Sequence, residues 1–285
     1  LLWKEGKQAF RFEGKGWLLW FYGTMAFTVY NLLIFWGQDL LGDPGTMVAS
    51  IMEALMPMIS IVIVWVLVRQ RPHAITLGCV LIGFVGALLV VTKGDFSTLF
   101  TLKAAIPSLF IFIAVVGWVI YTMGGSRFSD KSWSALRYST LSCLLGTATA
   151  AVVVGGVTLS GYISFPTVET MIVTSPNIAF MVIFPGVIAL VGWNYGVGVI
   201  KPLNGLLFLN FAPVTTLIIQ IVQGAPITIY DYLGTLFIIV SLVSNNIFVR
   251  LQQSRAKAKT KEATTSKYGK SYPELAPSNA DAAIN

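Results

Sequence analysis

The chain has 285 residues, of which 55% are hydrophobic and only 11% charged, against roughly 25% charged in an ordinary soluble domain. The net charge of +7 is spread between long uncharged stretches and along the last residues, not over a polar face, which argues against a nucleic-acid partner. Cys79 and Cys143 each lie inside an apolar run, so the sequence points to neither a disulfide framework, nor a metal cluster, nor a cofactor.

In chain order, Leu1 to Lys7 lack the charged start, apolar core and cleavage site of a signal peptide. A membrane helix needs about 20 mostly apolar residues, because each residue rises 1.5 Å through a hydrocarbon core about 30 Å thick. Eight segments qualify: Trp17 to Gln38, Thr46 to Val68, Ala74 to Thr92, Ala104 to Gly125, Ala135 to Leu159, Ile178 to Ile200, Leu203 to Gln223 and Tyr232 to Val249. The spacing therefore predicts an all-α polytopic membrane helix bundle with eight crossings. Turn signals at Gly42 to Gly45, Arg71-Pro72, Lys201-Pro202 and Gly224-Ala225-Pro226 make the segments they join antiparallel neighbours. After Arg250 the Lys, Ala, Ser and Pro mixture cannot bury a core, and residues 253–285 are expected to be a disordered tail.

With eight crossings, every Lys and Arg except Lys93 and Lys103 falls on one side of the membrane. The positive-inside rule makes that side cytoplasmic and places both termini there.

An internal repeat is legible. Gly23 precedes Tyr30-Asn31 in the first segment at the spacing with which Gly186 precedes Trp193-Asn194 in the sixth. Ala54-Leu55-Met56-Pro57 leads to Gly78 as Asn210-Phe211-Ala212-Pro213 leads to Gly234. Segments one to three thus match six to eight. Five helices separate the partners, an odd number, so the repeat is inverted in the membrane, the architecture secondary transporters use for alternating access. The second unit has five helices and the first shows three. The pattern predicts a ten-helix transporter whose first two helices, about 50 to 65 residues, precede Leu1.

Glu53 is the acidic residue well inside a crossing, where a carboxylate must be protonated, paired or hydrated. It can serve as a proton-coupling group, as the counter-charge of a substrate ammonium, or as a structural acid near the outer interface. Tyr30-Asn31 and Trp193-Asn194 occupy equivalent places in the two halves. Their amides can bond a carboxylate or an amine and their rings can face a cation, although inter-helical packing would use the same residues. Trp118 and Tyr121 sit at helical spacing in the fourth segment and can extend an aromatic lining. Pro57 and Pro213 free a backbone carbonyl one turn earlier and suit a gating bend. Gly192 and Gly196 form a small-xxx-small pattern fit for close helix approach. The crossings show no Lys or Arg cluster of the kind a phosphorylated metabolite would need.

On the stretch Met47 to Pro57 with Gly78 to Gly86 behind it, on Leu203 to Pro213 with Gly234, and on Gly117-Trp118-Val119-Ile120-Tyr121, the chain resembles the drug/metabolite transporter superfamily, in particular its EamA-like two-repeat transporters. The likeness covers roughly residues 17 to 250, dividing it into a first repeat over 1–92 and a second over 99–252. It implies export of small metabolites, often amino acids, through the bacterial inner membrane by alternating access, with the bilayer and a small-molecule substrate as partners; protons enter as a coupling ion only through the reading of Glu53. A Glu common in that family after the Pro-bearing helix is replaced here by Arg69-Gln70-Arg71-Pro72. Intramembrane catalysis would need paired Asp, His with Glu, or Ser with a base, and the sequence offers none of these, so an enzyme is not expected. A channel or a scaffold without transport is the alternative, and the inverted repeat favours a carrier over both.

Overall fold

The computed structural model describes residues 6–42, 45–69, 71–95, 105–125, 128, 133–222, 224 and 227–269. Residues 1–242 form one compact unit, and residues 243–285 are assigned to a second. A 3-10 turn, Lys7–Phe10, opens the described chain, which reverses through Glu13 and Gly14, both at positive φ. Ten helices follow among the described residues: α1 Gly16–Leu41, α2 Gly45–Ala54, α3 Met56–Val68, α4 Ala74–Thr92, α5 Ala105–Gly125, α6 Ala135–Leu159, α7 Val168–Ile200, α8 Pro202–Phe208, α9 Ala212–Val222 and α10 Ile229–Gly269.

Within the described residues, each of the eight apolar segments predicted from the sequence is mainly helical. Among the described residues six helices are long and apolar enough to cross a membrane by length and composition: α1, α4, α5, α6, α7 and the Ile229–Gln252 part of α10. The two Pro-bearing segments are interrupted instead. Helices α2 and α3 meet at Leu55, because Pro57 has no N–H to give the Glu53 carbonyl. Helices α8 and α9 are joined by a 3-10 turn, Leu209–Phe211, one turn ahead of Pro213, which likewise cannot bond the Leu209 carbonyl.

Helix starts follow local chemistry. His73 caps α4 through Nδ1, which accepts from the Ile75 N–H at 3.3 Å. Ser134 caps α6 and accepts from the Arg137 N–H at 3.0 Å, while Thr167 caps α7 and accepts from Thr170 at 3.2 Å. Two helices contain π turns, Thr24–Tyr30 in α1 and Val182–Ala189 in α7. In α1 the Asn31 side-chain amide donates to the Ala26 and Phe27 carbonyls at 3.1 and 3.3 Å, filling the widened turn.

Lipid tails are as apolar as leucine, so helices associate in a bilayer by close packing and polar bonds. Helix α1 lies against α5 and α6. Gly23 and Gly146 bring α1 and α6 backbone to backbone, Thr28 Oγ1 donates to the Gly146 carbonyl at 2.8 Å, and Trp20 Nε1 donates to Thr149 Oγ1 at 3.0 Å. A second glycine crossing joins α4 and α10 through Gly86 and Gly234, and Ser241 Oγ donates to the Cys79 carbonyl at 2.6 Å. Beyond Thr92, the αL-capped Lys93 reaches the buried Asp231 at 3.7 Å.

Two expectations change. Gly192 and Gly196 have open space where a Cβ would stand, with no described neighbour within 4 Å, so the close approaches belong to Gly23, Gly146, Gly86 and Gly234. The last helix runs on to Gly269, into the segment expected to be disordered. Ala, Lys, Gln and Arg are strong helix formers, and a turn added to an existing helix carries no nucleation cost.

Candidate functional site

Four helices carry the predicted site residues to one place. Tyr30 comes from the end of the π turn of α1, Glu53 from the last turn of α2, Trp118 and Tyr121 from α5, and Trp193 and Asn194 from the buried part of α7. The Tyr30 hydroxyl donates a short hydrogen bond to Glu53 Oε1, tying α1 to α2. The Tyr30 ring lies 5.2 Å from that of Trp118. Trp118 is in turn 5.6 Å from Tyr121 and 6.2 Å from Trp193, all at tilted angles. Trp193 Nε1 donates to Thr122 Oγ1 at 3.3 Å.

Asn194 is buried, and its Nδ2 donates to Tyr121 Oη and to Ser139 Oγ, both at 2.8 Å. Tyr121 Oη also stands 3.4 Å from Ser142 Oγ. Glu53, an aromatic group and a polar knot on α6 therefore form one continuous row. Asn31 is the predicted residue this geometry does not bring in, since its amide bonds its own helix. Pro57 is buried one turn beyond Glu53, and Pro213 is the second residue of α9, directly after the 3-10 break, with its side chain outside the described residues.

A cavity of about 290 Å³ opens at the other end of the row, lined by Gly125, Phe128, Trp133, Tyr138, Asn194 and Gly198 among others. Asn194 thus belongs both to this vestibule and to the row that ends at Glu53. Tyr138 stacks on Tyr121, ring centroids 5.2 Å apart, and its hydroxyl donates to the Tyr121 carbonyl at 3.1 Å.

Beside the vestibule is a clasp that the sequence did not reveal. Arg137, in the first turn of α6, is 6% exposed and ion-pairs Glu13 at 2.9 Å. It also donates Nε to the Ala9 carbonyl at 2.9 Å and Nη2 to the Arg11 carbonyl, and its guanidinium lies 4.0 Å over the Trp133 ring. Trp133 Nε1 donates to the other Glu13 oxygen at 2.9 Å. The Arg137 hydrogen bond, followed by the Trp133 bond and the nearby cations, holds the Glu13 carboxyl below its usual range even against some desolvation. In the sequence Arg137 stands at the start of the Ala135 to Leu159 segment and counts only toward the charge of one side of the membrane. Ser139 and Ser142 were missed as well, although two small hydroxyls on one face of an apolar helix, beside Tyr138, are the available signal.

The helices and the buried polar row define a multi-pass membrane protein. The profile of the EamA-like transporter family matches residues 105–247. The uncharacterized transporter YrdR of Bacillus subtilis (strain 168) is 49% identical over 251 residues, covering 88% of this chain and 78% of that protein. The uncharacterized transporter YyaM of the same organism is 25% identical over 240 residues, covering 82% and 74%. A crystal structure of a protein 18% identical in sequence matches with a TM-score of 0.64 over 81% of this chain and 78% of the other, a likeness of fold. The chain belongs to the EamA-like transporter family.

Proposed function

We propose that this protein is a secondary transporter that exports small metabolites, amino acids or similar compounds, across the bacterial inner membrane by alternating access, with both termini cytoplasmic. The observation that carries the reading is the convergence of Tyr30, Glu53, Trp118, Tyr121, Trp193 and Asn194, from both sequence halves, on one row beside a vestibule. A carrier needs a binding site shared by two halves that move against each other.

On this reading, α2–α3 and α8–α9 are each one crossing with a Pro-induced break, which brings the crossings to eight. Broken helices are tolerated at membrane depth where they face protein or a watery cavity. Their matching interruptions ahead of Pro57 and Pro213 support an inverted repeat and suit both prolines to gating. Helix α1 is packed by α5 and α6, whereas no residue of α7 from Val168 to Ala189 is buried. By the repeat, two further helices would cover that bare length of α7, completing ten. Glu53 couples transport to protons by exchanging its proton with substrate at the Tyr30 bond.

Proteoliposomes test the proposal. Efflux of a radiolabelled amino acid that saturates and shows counterflow is expected. Flux that rises without saturation would make the protein a channel, and no flux of any candidate would make it a scaffold.

A further inference from the structure

The strap of residues 6–15 ahead of α1 lines neither the row nor the vestibule, yet it is fixed in place. Glu13 and Gly14, both at positive φ, turn it back from the start of α1, and across that turn the Lys15 N–H donates to the Phe12 carbonyl at 2.8 Å. Ala9 is buried, and the Arg137 guanidinium takes the Ala9 and Arg11 carbonyls. Arg137 stands in the first turn of α6, so the strap lies level with the end of that apolar span. Its free surface alternates apolar and basic. Phe10, Arg11 and Phe12 are all exposed, and Trp17, the second residue of α1, is 73% exposed with its ring 4.6 Å from that of Trp20.

Aromatic side chains around a cation at the end of a membrane span suit the headgroup layer: the rings enter the boundary between headgroups and acyl chains, and a guanidinium takes a phosphate through two parallel bonds. Because the Arg11 carbonyl is already anchored, little backbone freedom is left to lose on binding. We propose that the strap is a binding site for an anionic phospholipid, whose phosphate is taken by Arg11 and whose glycerol and upper acyl chains lie against Phe10, Phe12 and Trp17. A phosphocholine lipid carries its own cation against the phosphate and gains less from Arg11. Glu13 supports the site by holding Arg137 and Trp133 behind the strap. A bare patch of positive charge would bind an anion more tightly on losing Glu13, whereas a site built on the clasp binds it more weakly. The inference needs only a membrane-spanning chain and stands apart from the transport reading.

The test follows the melting temperature of the full chain in detergent, at fixed salt, during titration with three probes. These are short-chain phosphatidylglycerol, short-chain phosphatidylcholine, and glycerol phosphate, which offers the phosphate without acyl chains. Half-saturation by phosphatidylglycerol is expected at a concentration about fivefold below that of phosphatidylcholine, the worth of one basic side chain at a membrane surface, and Arg11→Gln should remove the difference. Arg11→Lys, which keeps the charge, should retain a preference, and Glu13→Ala should weaken phosphatidylglycerol binding severalfold. Arg71→Gln, which removes an exposed cation from the connection between α3 and α4, should change nothing. Each variant is first shown to be monodisperse and to melt cooperatively without lipid. Equal half-saturation by the two lipids, or an Arg71→Gln effect as large as that of Arg11→Gln, overturns the proposal in favour of a general charged rim. Tighter phosphatidylglycerol binding by Glu13→Ala overturns the built site, and saturation by glycerol phosphate at the concentration of the lipid overturns the lipid as its ligand.

Discussion

Gly23 on α1 and Gly146 on α6 pack so closely that a Cβ on Gly23 would stand 2.1 Å from the Ser142 carbonyl oxygen, and a Cβ on Gly146 would stand 2.2 Å from the Gly23 carbonyl oxygen. The atoms in the way are backbone, so neither helix can yield by turning a side chain. We predict that Gly23→Ala and Gly146→Ala each destabilise the protein by roughly 1–3 kcal/mol through overpacking. Gly192→Ala, with open space around it, should be neutral or slightly stabilising. Thermal melts in detergent compare the three; equal melting temperatures would rule out this packing.

Tyr30 and Glu53 are joined by a hydrogen bond that Tyr30→Phe removes while leaving the ring beside Trp118. The variant should lose about 1–2 kcal/mol of stability at most, yet shift the pH dependence of transport. Glu53→Gln should flatten that dependence altogether. Transport rates measured across pH decide the matter, and a Glu53→Gln profile that keeps the wild-type slope would remove the proton-coupling role.

Glu13 titrates outside the membrane, and its folded pKa lies below the usual 4.5, chiefly because of Arg137. A carboxylate whose pKa is depressed on folding contributes stability that is present above its unfolded value and is lost as pH falls through the folded one. The melting-temperature difference between wild type and Glu13→Gln should therefore be constant above about pH 5 and shrink as pH falls below 4.5. A difference that grows on acidification would contradict the clasp. Arg137→Met leaves the Ala9 carbonyl short of its guanidinium donor as well as breaking the Glu13 pair, and should cost roughly 1–3 kcal/mol above about pH 5 and less as pH falls below 4.5.

Ser241 bridges α10 to α4 by donating to the Cys79 carbonyl at 2.6 Å, beside the Gly86 and Gly234 contact. Ser241→Ala should destabilise by about 0.6–1.7 kcal/mol, the range of inter-helical hydrogen bonds in bilayers. Cys79 contributes its backbone alone to this bond, so Cys79→Ala should leave it in place, and the two variants melted side by side separate bond from packing.

Much of this was legible in the chain. Glu53 is rare enough inside apolar sequence that burial forces a partner on it, and Tyr30, Trp118 and Trp193 were recognisable because polar aromatic residues inside crossings tend to find one another. Asn31 was misleading. It stands beside Tyr30 in sequence, but the extra residue of the π turn directs its amide onto its own helix, and no periodicity argument foresees a widened turn. Gly192 and Gly196 have the spacing of a close crossing without its partner, whereas Gly23 and Gly146 lie on helices far apart in sequence and share no local pattern. The Glu13, Trp133 and Arg137 clasp joins segments 120 residues apart or more, beyond the reach of any local motif.

The break at Leu55 has a mechanical consequence. Glu53 lies two residues from the joint, on the ten-residue α2, and Pro57 on the far side has already withdrawn the bond that would brace the Glu53 carbonyl. A small change of angle at this joint swings the carboxylate while α3 stays seated. On the proposed transport reading, the charge offered to the substrate is thus mounted on a short crank, and its displacement would be driven by bending one elbow instead of prising apart the aromatic row.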